Sequence, residues 1–225
     1  MVTQISSGKN MISLEKKFIF IHIPKTSGNS VTEIFKKYVA FRYQKYEDKV
    51  GILRLKDRFG TWKHQKIWSI RKRIGIDTFN SYFKFSCVRD PYDRAISCYF
   101  YALTNKYGLS EEDYNRIMNG NYQFDRDYFR RVINTMFLST PQCIWISIDK
   151  KIAVDYLIRM ENLQADCDFV CDKLNIERQN VPKINIGNHL NYKEYYKIYP
   201  EIISIVQKRY NDDFAKLNYQ LNLKV

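Results

Sequence analysis

The chain has 225 residues, of which 45% are hydrophobic and 16% aromatic, and this composition excludes a disordered polypeptide. Its formal net charge of +13 favours a partner or substrate with negative charge. No apolar run approaches the roughly 20 residues that cross a bilayer, and the N-terminal residues lack the pattern of a signal peptide. We therefore expect a soluble, cytoplasmic protein that folds as a single domain over residues 1–225.

Apolar runs alternate along the chain with segments of helical periodicity. The predicted strands cover residues 17–23, 82–88, 143–148 and 153–159. The predicted helices cover residues 28–40, 91–104, 125–138, 163–174 and 192–211, and a polar loop with a further helix extends to about residue 120. Strands separated by helices predict an α/β fold: a P-loop-like domain with a central, mostly parallel β-sheet flanked by helices.

The five cysteines form a scattered set without a C-x-x-C pair: Cys87, Cys98, Cys143, Cys167 and Cys171. Cys167 and Cys171 lie four residues apart and His189 follows, but a fourth ligand with the spacing of a zinc site is missing. We therefore expect reduced thiols, in keeping with a cytoplasmic location, and no bound metal.

The first candidate binding motif directly follows the apolar run Phe18-Ile19-Phe20-Ile21. It reads His22-Ile23-Pro24-Lys25-Thr26-Ser27-Gly28-Asn29-Ser30, a turn of small and hydroxylated residues between a predicted strand and a predicted helix. Backbone N–H groups at the helix start and the charge of Lys25 together favour a phosphate group. Nucleoside triphosphate loops place the lysine after their glycines, whereas Lys25 precedes Gly28, and this argues against an ATP or GTP site.

A second motif follows the predicted strand 82–88 and reads Arg89-Asp90-Pro91-Tyr92-Asp93-Arg94-Ala95-Ile96-Ser97. Asp90 is placed to cap the next helix, which fixes Arg89 beside a helix start. An arginine fork together with the Ser97 hydroxyl would bind a terminal phosphate. In the alternative, Arg89 pairs with a carboxylate such as Asp93 and Ser97 only packs. The sequence leaves both arrangements open.

Together the two motifs resemble the cofactor signatures of sulfotransferases, in the carbohydrate branch that includes heparan sulfate 2-O- and 6-O-sulfotransferases and bacterial relatives. The resemblance covers nearly the whole chain. It implies 3′-phosphoadenosine 5′-phosphosulfate (PAPS) as the sulfuryl donor, with no metal required. The 5′-phosphosulfate site would comprise Lys25, Thr26, Ser27, Gly28, Asn29 and Ser30, and the 3′-phosphate site Arg89 and Ser97. Two residues depart from the family pattern, which more often has glycine at Ser27 and threonine at Asn29.

Sulfuryl transfer needs a base for the acceptor hydroxyl and a cation for the leaving phosphate. The resemblance gives the second role to Lys25. Related enzymes carry a catalytic histidine upstream of the second motif, which implies that His64 is the base, and a histidine titrates near neutral pH. The alternatives for the base are His22, Glu33 and Glu161. The resemblance places His189 in a loop that closes over the cofactor, which implies a binding role. We expect His22 mainly to pack against or orient the turn that it begins.

The basic charge is concentrated around His64, since residues 42–73 contain eleven lysines and arginines against three acidic residues. If His64 is the base, this segment flanks the acceptor and favours an anionic carbohydrate. In the alternative, this basic segment is only a solvent-exposed surface without a binding role. Two rival functions are a nucleic-acid-binding protein, for which no known motif is present, and a P-loop kinase, for which the lysine is misplaced.

Overall fold

A computed structural model describes residues 11–39, 64–106, 123–182, 184 and 190–224. The chain divides into two compact units. Unit 1 consists of Met1–Val88 and Ile144–Pro182, and unit 2 of Arg89–Cys143 and Lys183–Val225. A single domain over residues 1–225 stays a prediction. The predicted helix near residue 120, most of the basic segment and the loop with His189 lie outside the described residues.

The described elements mostly follow the predicted order. The strands are β1 Met11–Ser13, β2 Phe18–Ile21, β3 Phe83–Val88, β4 Ser147–Ile148, β5 Lys151–Ile152 and β6 Tyr156–Arg159. The helices are α1 Gly28–Phe35, α2 Ile67–Ile74, α3 Ile76–Ser81, α4 Pro91–Lys106, α5 Arg126–Thr135, α6 Gln142–Ile146, α7 Leu163–Lys173, α8 Tyr192–Ile198, α9 Ile202–Arg209 and α10 Asn211–Lys216. Short 3₁₀ helices cover Lys36–Tyr38, Phe137–Ser139 and Met160–Asn162.

Unit 1 is built on a four-stranded sheet with the order β1-β2-β3-β6. Strands β2, β3 and β6 are parallel, and β1 is antiparallel to β2. All four residues of β2 are completely buried, as expected of a parallel strand that is covered on both faces. Helix α1 contacts β3, and α7 contacts β6. The predicted α/β fold with a mostly parallel central sheet and flanking helices is confirmed, and its P-loop-like character stays a prediction.

Unit 2 packs helices around a core that is rich in tyrosine. Four of these tyrosines are completely buried: Tyr92, Tyr99, Tyr196 and Tyr210. The hydroxyl of Tyr196 donates to the carbonyl of Tyr92 at 2.9 Å, and that of Tyr210 donates to the carbonyl of Ser139 at 3.0 Å. Because the hydroxyl groups have partners, the rings supply large apolar surface without leaving a buried donor unsatisfied.

The predicted strand over residues 143–148 is wrong, because most of this run belongs to helix α6. An apolar run of this length fits a buried strand and a buried helix equally well. The carboxylate of Asp213 decides between them, since its oxygens accept hydrogen bonds from the backbone N–H groups of Gln142 and Cys143 at 2.7 and 2.8 Å. These bonds satisfy the start of a helix from a residue that is distant in sequence.

The predicted helix over residues 192–211 is divided into α8, α9 and α10. Tyr199 ends α8 with φ −126° and ψ 66°, because a residue before proline is disfavoured in the helical region. The predicted helix 125–138 ends earlier, at Thr135, and begins where the Asp125 side chain accepts from the N–H of Tyr128. None of the helices in the described ranges is long and apolar enough to span a bilayer.

Candidate active site

The turn between β2 and α1 forms the first candidate site and lies wholly in unit 1. Lys25 and Ser27 have φ angles of 65° and 63°, in the left-handed region that non-glycine residues rarely occupy. Such conformations cost free energy and concentrate at binding sites, where turns of this kind direct backbone N–H groups toward one point. The turn predicted as a phosphate site therefore has a backbone suited to an anion.

Helix α1 begins at Gly28, directly after the turn, and Ser27 occupies its N-cap position. The Ser27 side chain makes no capping hydrogen bond, and the first turn of α1 contains no acidic residue. The N–H groups of a first helical turn have no acceptor within the helix, and the helix dipole adds partial positive charge there. An anion at this position would meet no competing carboxylate from the start of α1.

The polar side chains of the turn differ in what they can offer to a ligand. Thr26 is completely buried, and its Oγ1 donates a hydrogen bond to the carbonyl of Ile23 at 3.0 Å. Because a hydroxyl has one proton to donate, Thr26 would bind an anion through its backbone N–H. Ser30 is also buried. The partly exposed side chains of the turn are Lys25, Ser27 and Asn29.

Close packing against His22 requires glycine at position 28. A Cβ atom on Gly28 would lie 2.2 Å from Nε2 and 2.3 Å from Cδ2 of His22. The His22 side chain is buried, and its ring centroid lies 5.8 Å from that of Phe20. The imidazole of His22 therefore packs directly against Gly28, the first residue of α1, and helps to define where the helix starts. This contact agrees with the expected role of His22 in orienting the turn.

His64 lies at the same strand end, in unit 1. Its Nδ1 is 2.9 Å from the carbonyl oxygen of His22, and the two imidazole centroids are 4.8 Å apart in an edge-to-face arrangement. A carbonyl oxygen only accepts hydrogen bonds, so Nδ1 carries the proton and Nε2 of the neutral ring is the atom that can take up another. His64 is partly exposed, as a base for an external hydroxyl must be.

Trp145 gives the His64 ring a second fixed contact. The indole is completely buried and meets the imidazole edge-to-face, with ring centroids 6.2 Å apart. Two contacts therefore orient the ring of His64: the hydrogen bond from its Nδ1 to the carbonyl of His22, and the packing against the indole of Trp145. Sequence reasoning missed this support because Trp145 stood in a predicted strand, whereas it belongs to α6.

Unit 1 thus combines a candidate anion-binding turn with a candidate base at one strand end. A model of the Sulfotransferase family matches this chain over residues 9–220. The chain belongs to the sulfotransferase family. An uncharacterized protein from Archaeoglobus fulgidus is 26% identical over 129 residues, which are 56% of this chain and 96% of that protein. Sulfuryl transfer is therefore the class of reaction that this enzyme performs.

In this sulfotransferase the second predicted motif belongs to unit 2. Arg89 and Asp93 form a bidentate ion pair, in which Nε lies 2.8 Å from Oδ2 and Nη2 lies 2.7 Å from Oδ1. Both side chains are largely buried, with 11% and 19% exposed. The pair, which the sequence left open as an alternative, is therefore present, and it uses two of the five guanidinium donors. A role of Arg89 in binding a 3′-phosphate stays a prediction.

The backbone of Arg89 is held by a residue that the sequence did not single out. Gln142 accepts from the N–H of Arg89 through Oε1 at 2.9 Å and donates to its carbonyl through Nε2 at 2.8 Å. The backbone N–H of Gln142 is in turn bound by the buried carboxylate of Asp213. Both residues lie in stretches that the resemblance covers, Tyr128 to Gln142 and Asp213 to Tyr219, but no role for either residue followed from it.

The start of α4 agrees with the predicted capping. The carboxylate of Asp90 accepts from the backbone N–H of Tyr92 at 2.8 Å, as an N-cap does. Ser97 is buried, with 8% of its surface exposed, and follows Asp93 by one helical turn. Arg89 thus directly precedes the N-cap residue of α4, and Asp93 and Ser97 lie in the first two turns of that helix.

The thiols of this sulfotransferase are free and buried. Burial raises the pKa of Cys167 to about 12 and that of Cys171 to about 11. Within the described ranges, no group of three or more His, Cys, Asp or Glu side chains is placed to hold a metal ion.

Proposed function

We propose that this sulfotransferase transfers a sulfuryl group from PAPS to a hydroxyl of an anionic carbohydrate, as in the branch that it resembles. His64 is the base, and Lys25 stabilises the leaving phosphate. One observation carries the proposal: Nδ1 of His64 donates to the carbonyl of His22, so that the candidate base is anchored on the first residue of the phosphate turn.

The residues of the turn fit the 5′-phosphosulfate of the donor. When bound, the donor supplies an activated sulfuryl group whose departure leaves negative charge on a phosphate oxygen. The Lys25 ammonium and the N–H groups at the start of α1 would stabilise that charge. Because the left-handed residues Lys25 and Ser27 already shape the turn, these donors need little reorganisation when the charge develops.

His64 takes the proton of the acceptor hydroxyl on Nε2. Its Nδ1–H stays bonded to the carbonyl of His22, and this bond strengthens when the ring becomes positively charged, since charge-assisted hydrogen bonds are the stronger kind. The carbonyl therefore orients the base and also stabilises its protonated form. A positioned base of this kind contributes about 10²–10⁴-fold to a reaction rate.

For the 3′-phosphate we propose Arg89 and Ser97, on the strength of the second motif. The ion pair with Asp93 would hold the guanidinium plane in one orientation. An arginine that is already oriented loses less side-chain entropy on binding a phosphate than a mobile one. Asp93 would then be a positioning residue for this site.

The test compares turnover with donor-product binding in two variants, His64→Ala and His64→Gln. We expect turnover with labelled PAPS to fall about 10²–10⁴-fold, while calorimetry shows nearly unchanged affinity for 3′,5′-adenosine bisphosphate. His189→Ala is measured beside them, because His189 is one of the three histidines of the chain. Near-normal turnover of the His64 variants would make the assignment wrong, and a loss confined to His189→Ala would transfer the role.

The same titration separates the proposed function from its rivals. Wild-type protein is titrated in turn with 3′,5′-adenosine bisphosphate, with ATP and Mg²⁺, and with a DNA oligonucleotide. We expect tight binding of the first ligand alone. Preference for ATP would indicate a kinase, and preference for the oligonucleotide would indicate a nucleic-acid-binding protein.

A further inference from the structure

Helix α2 exposes a tryptophan that its own packing does not explain. The helix buries Ile67 and Ile70 completely, and this apolar side anchors it in unit 1. Trp68 is 51% exposed, which is a large apolar ring left in contact with water. At helical spacing Trp68 and Lys72 are neighbours, and Arg71 lies one turn from Trp68 as well. This exposed surface of α2 therefore combines one apolar ring with two positively charged side chains.

The charge of α2 has one sign. Its last turn contains Arg71, Lys72 and Arg73, and the sequence of the helix contains no acidic residue. Basic residues at a helix C-terminus are favoured by the helix dipole, which accounts for part of this pattern. The helix dipole does not explain why the indole of Trp68 is exposed. A ligand that has both negative charge and an apolar face would account for the basic residues and for the exposed indole together.

The position of α2 connects this surface with the candidate base. Trp68 follows His64 by four residues, and a chain of that length spans at most about 14 Å. His64 itself is anchored to the carbonyl of His22 at 2.9 Å. The Cα atoms of Trp68 and His64 therefore lie no farther apart than the length of a few sugar rings.

We propose that Trp68, Arg71 and Lys72 form an acceptor subsite for an acidic oligosaccharide, called here the α2 platform. This proposal rests on the proposed function. The indole stacks against the C–H face of a sugar ring, and its rigidity keeps the entropic cost of binding low. Arg71 and Lys72 pair with carboxylate or sulfate groups of neighbouring sugars, Arg71 in bidentate geometry. The platform thereby selects acidic over neutral chains.

The experiment measures binding of a uronic-acid-containing hexasaccharide and of its carboxyl-reduced counterpart. The variants are Trp68→Ala, Trp68→Phe and the double variant Arg71→Gln/Lys72→Gln. We expect Trp68→Ala and the double variant each to weaken binding of the acidic hexasaccharide about tenfold, and Trp68→Phe to recover most of the loss. The double variant also reduces the salt dependence of binding, whereas Trp68→Ala leaves it unchanged.

Matched controls repeat the same changes elsewhere on the surface. Phe137→Ala removes an aromatic ring that is 53% exposed, and Lys151→Gln/Lys173→Gln removes the same charge from exposed positions of unit 1. We expect wild-type binding from both controls. Equal binding of the acidic and reduced hexasaccharides, no loss in the platform variants, or no binding by the wild type would each overturn the proposal.

Two further arms keep this test separate from the proposed function. Affinity for 3′,5′-adenosine bisphosphate is measured in every variant and is expected to stay at the wild-type value. If that ligand fails to bind the wild type, the proposed donor is wrong whatever the platform does. A DNA oligonucleotide is also tested for its ability to displace the hexasaccharide. If it does so, and if its binding depends more strongly on Trp68 and Arg71 than binding of the hexasaccharide does, the platform binds nucleic acid instead.

Discussion

The turn after β2 and the motif after β3 both follow a parallel strand, yet they offer an anion different groups. The turn in unit 1 presents backbone N–H groups and one lysine, shaped by left-handed residues at Lys25 and Ser27. The motif in unit 2 presents the Arg89 side chain, which is already paired with Asp93 at 2.7 Å. One candidate site is therefore made by chain conformation and the other by a side chain that a carboxylate holds in place.

This difference sets what each site can tolerate. A backbone site depends on the residues that fix the chain, so small changes beside it matter even where they touch no ligand. A side-chain site depends on the balance between orientation and competition, because the carboxylate that holds an arginine also neutralises it. Substitutions at the two strand ends should therefore impair anion binding for different reasons. In unit 1 they would change the backbone conformation, and in unit 2 they would change the orientation or the charge of Arg89.

The largest effect is expected from Lys25→Ala in the turn of unit 1. Turnover with PAPS should fall roughly 10²–10³-fold, because a fixed charge is lost where the leaving phosphate develops its own. The urea midpoint should stay close to wild type, since Lys25 is partly exposed. Lys37→Ala, an exposed lysine just beyond α1, is the control. Unchanged turnover of Lys25→Ala would place the leaving phosphate elsewhere.

The next effect is expected from Gly28→Ala. Alanine gains about 0.5–1 kcal/mol in a helix, but overpacking against the buried His22 ring costs about 1–3 kcal/mol, so urea denaturation should show a net loss. Turnover should fall too, because His22 anchors His64.

Gly75→Ala provides the comparison for that variant. Gly75 has φ 84° and ψ 155°, a region essentially confined to glycine, and a Cβ atom added there would have no neighbour within 4 Å, so its alanine costs about 1–3 kcal/mol through backbone strain alone. Its turnover should stay at the wild-type value. A stabilising Gly28→Ala substitution would mean that the His22 ring moves aside freely.

Asp93→Asn should have a smaller effect on ligand binding. If Asp93 mainly orients Arg89, the dissociation constant for 3′,5′-adenosine bisphosphate should rise about tenfold by calorimetry. Asp127→Asn removes the same charge from a side chain of unit 2 that is 94% exposed, and should change nothing. Tighter binding of Asp93→Asn would show that the carboxylate competes with the phosphate.

The smallest effect is expected from the buried thiols of unit 1 at alkaline pH. Burial raises the pKa of Cys167 from the ordinary 9.0 to about 12 and that of Cys171 to about 11. A raised folded-state pKa means that the folded state binds its proton more tightly, so the stabilisation is present below pH 9 and is lost as pH rises toward the folded values. Urea midpoints should decline from pH 9 to pH 11, less so in Cys167→Ala. An identical decline in that variant would contradict this cause.

Local patterns sufficed for much of the fold and for the turn. β2 and β3 were predictable because a parallel strand buried on both faces is a continuous apolar run. The turn before α1 was predictable because Lys25, Gly28 and the helix start are adjacent in the chain. The capping role of Asp90 followed in the same way from its place before Pro91.

Other features depend on contacts between residues far apart in sequence. Helix α6 is fixed by Asp213, which lies 71 residues from the N–H group of Gln142 that it binds, so an apolar run that could be either strand or helix becomes a helix. Whether Arg89 pairs with Asp93 was equally open until the structure placed the two side chains within hydrogen-bond distance. Periodicity carries no information about such partners.

The sequence by itself determined the α/β class, the two strand-end motifs and the candidate base. Each of these depends on residues that are close together in the chain or on the charge of a segment, and both can be seen without a structure. Only the tertiary structure decided that Nδ1 of His64 meets the carbonyl of His22, 42 residues away. That contact fixes which ring nitrogen can accept a proton. Trp145 packs against the ring of His64, and Gly28 leaves the space that the ring of His22 occupies. Trp145 is far from His64 in the chain, and Gly28 has no side chain, so the sequence reveals neither contact.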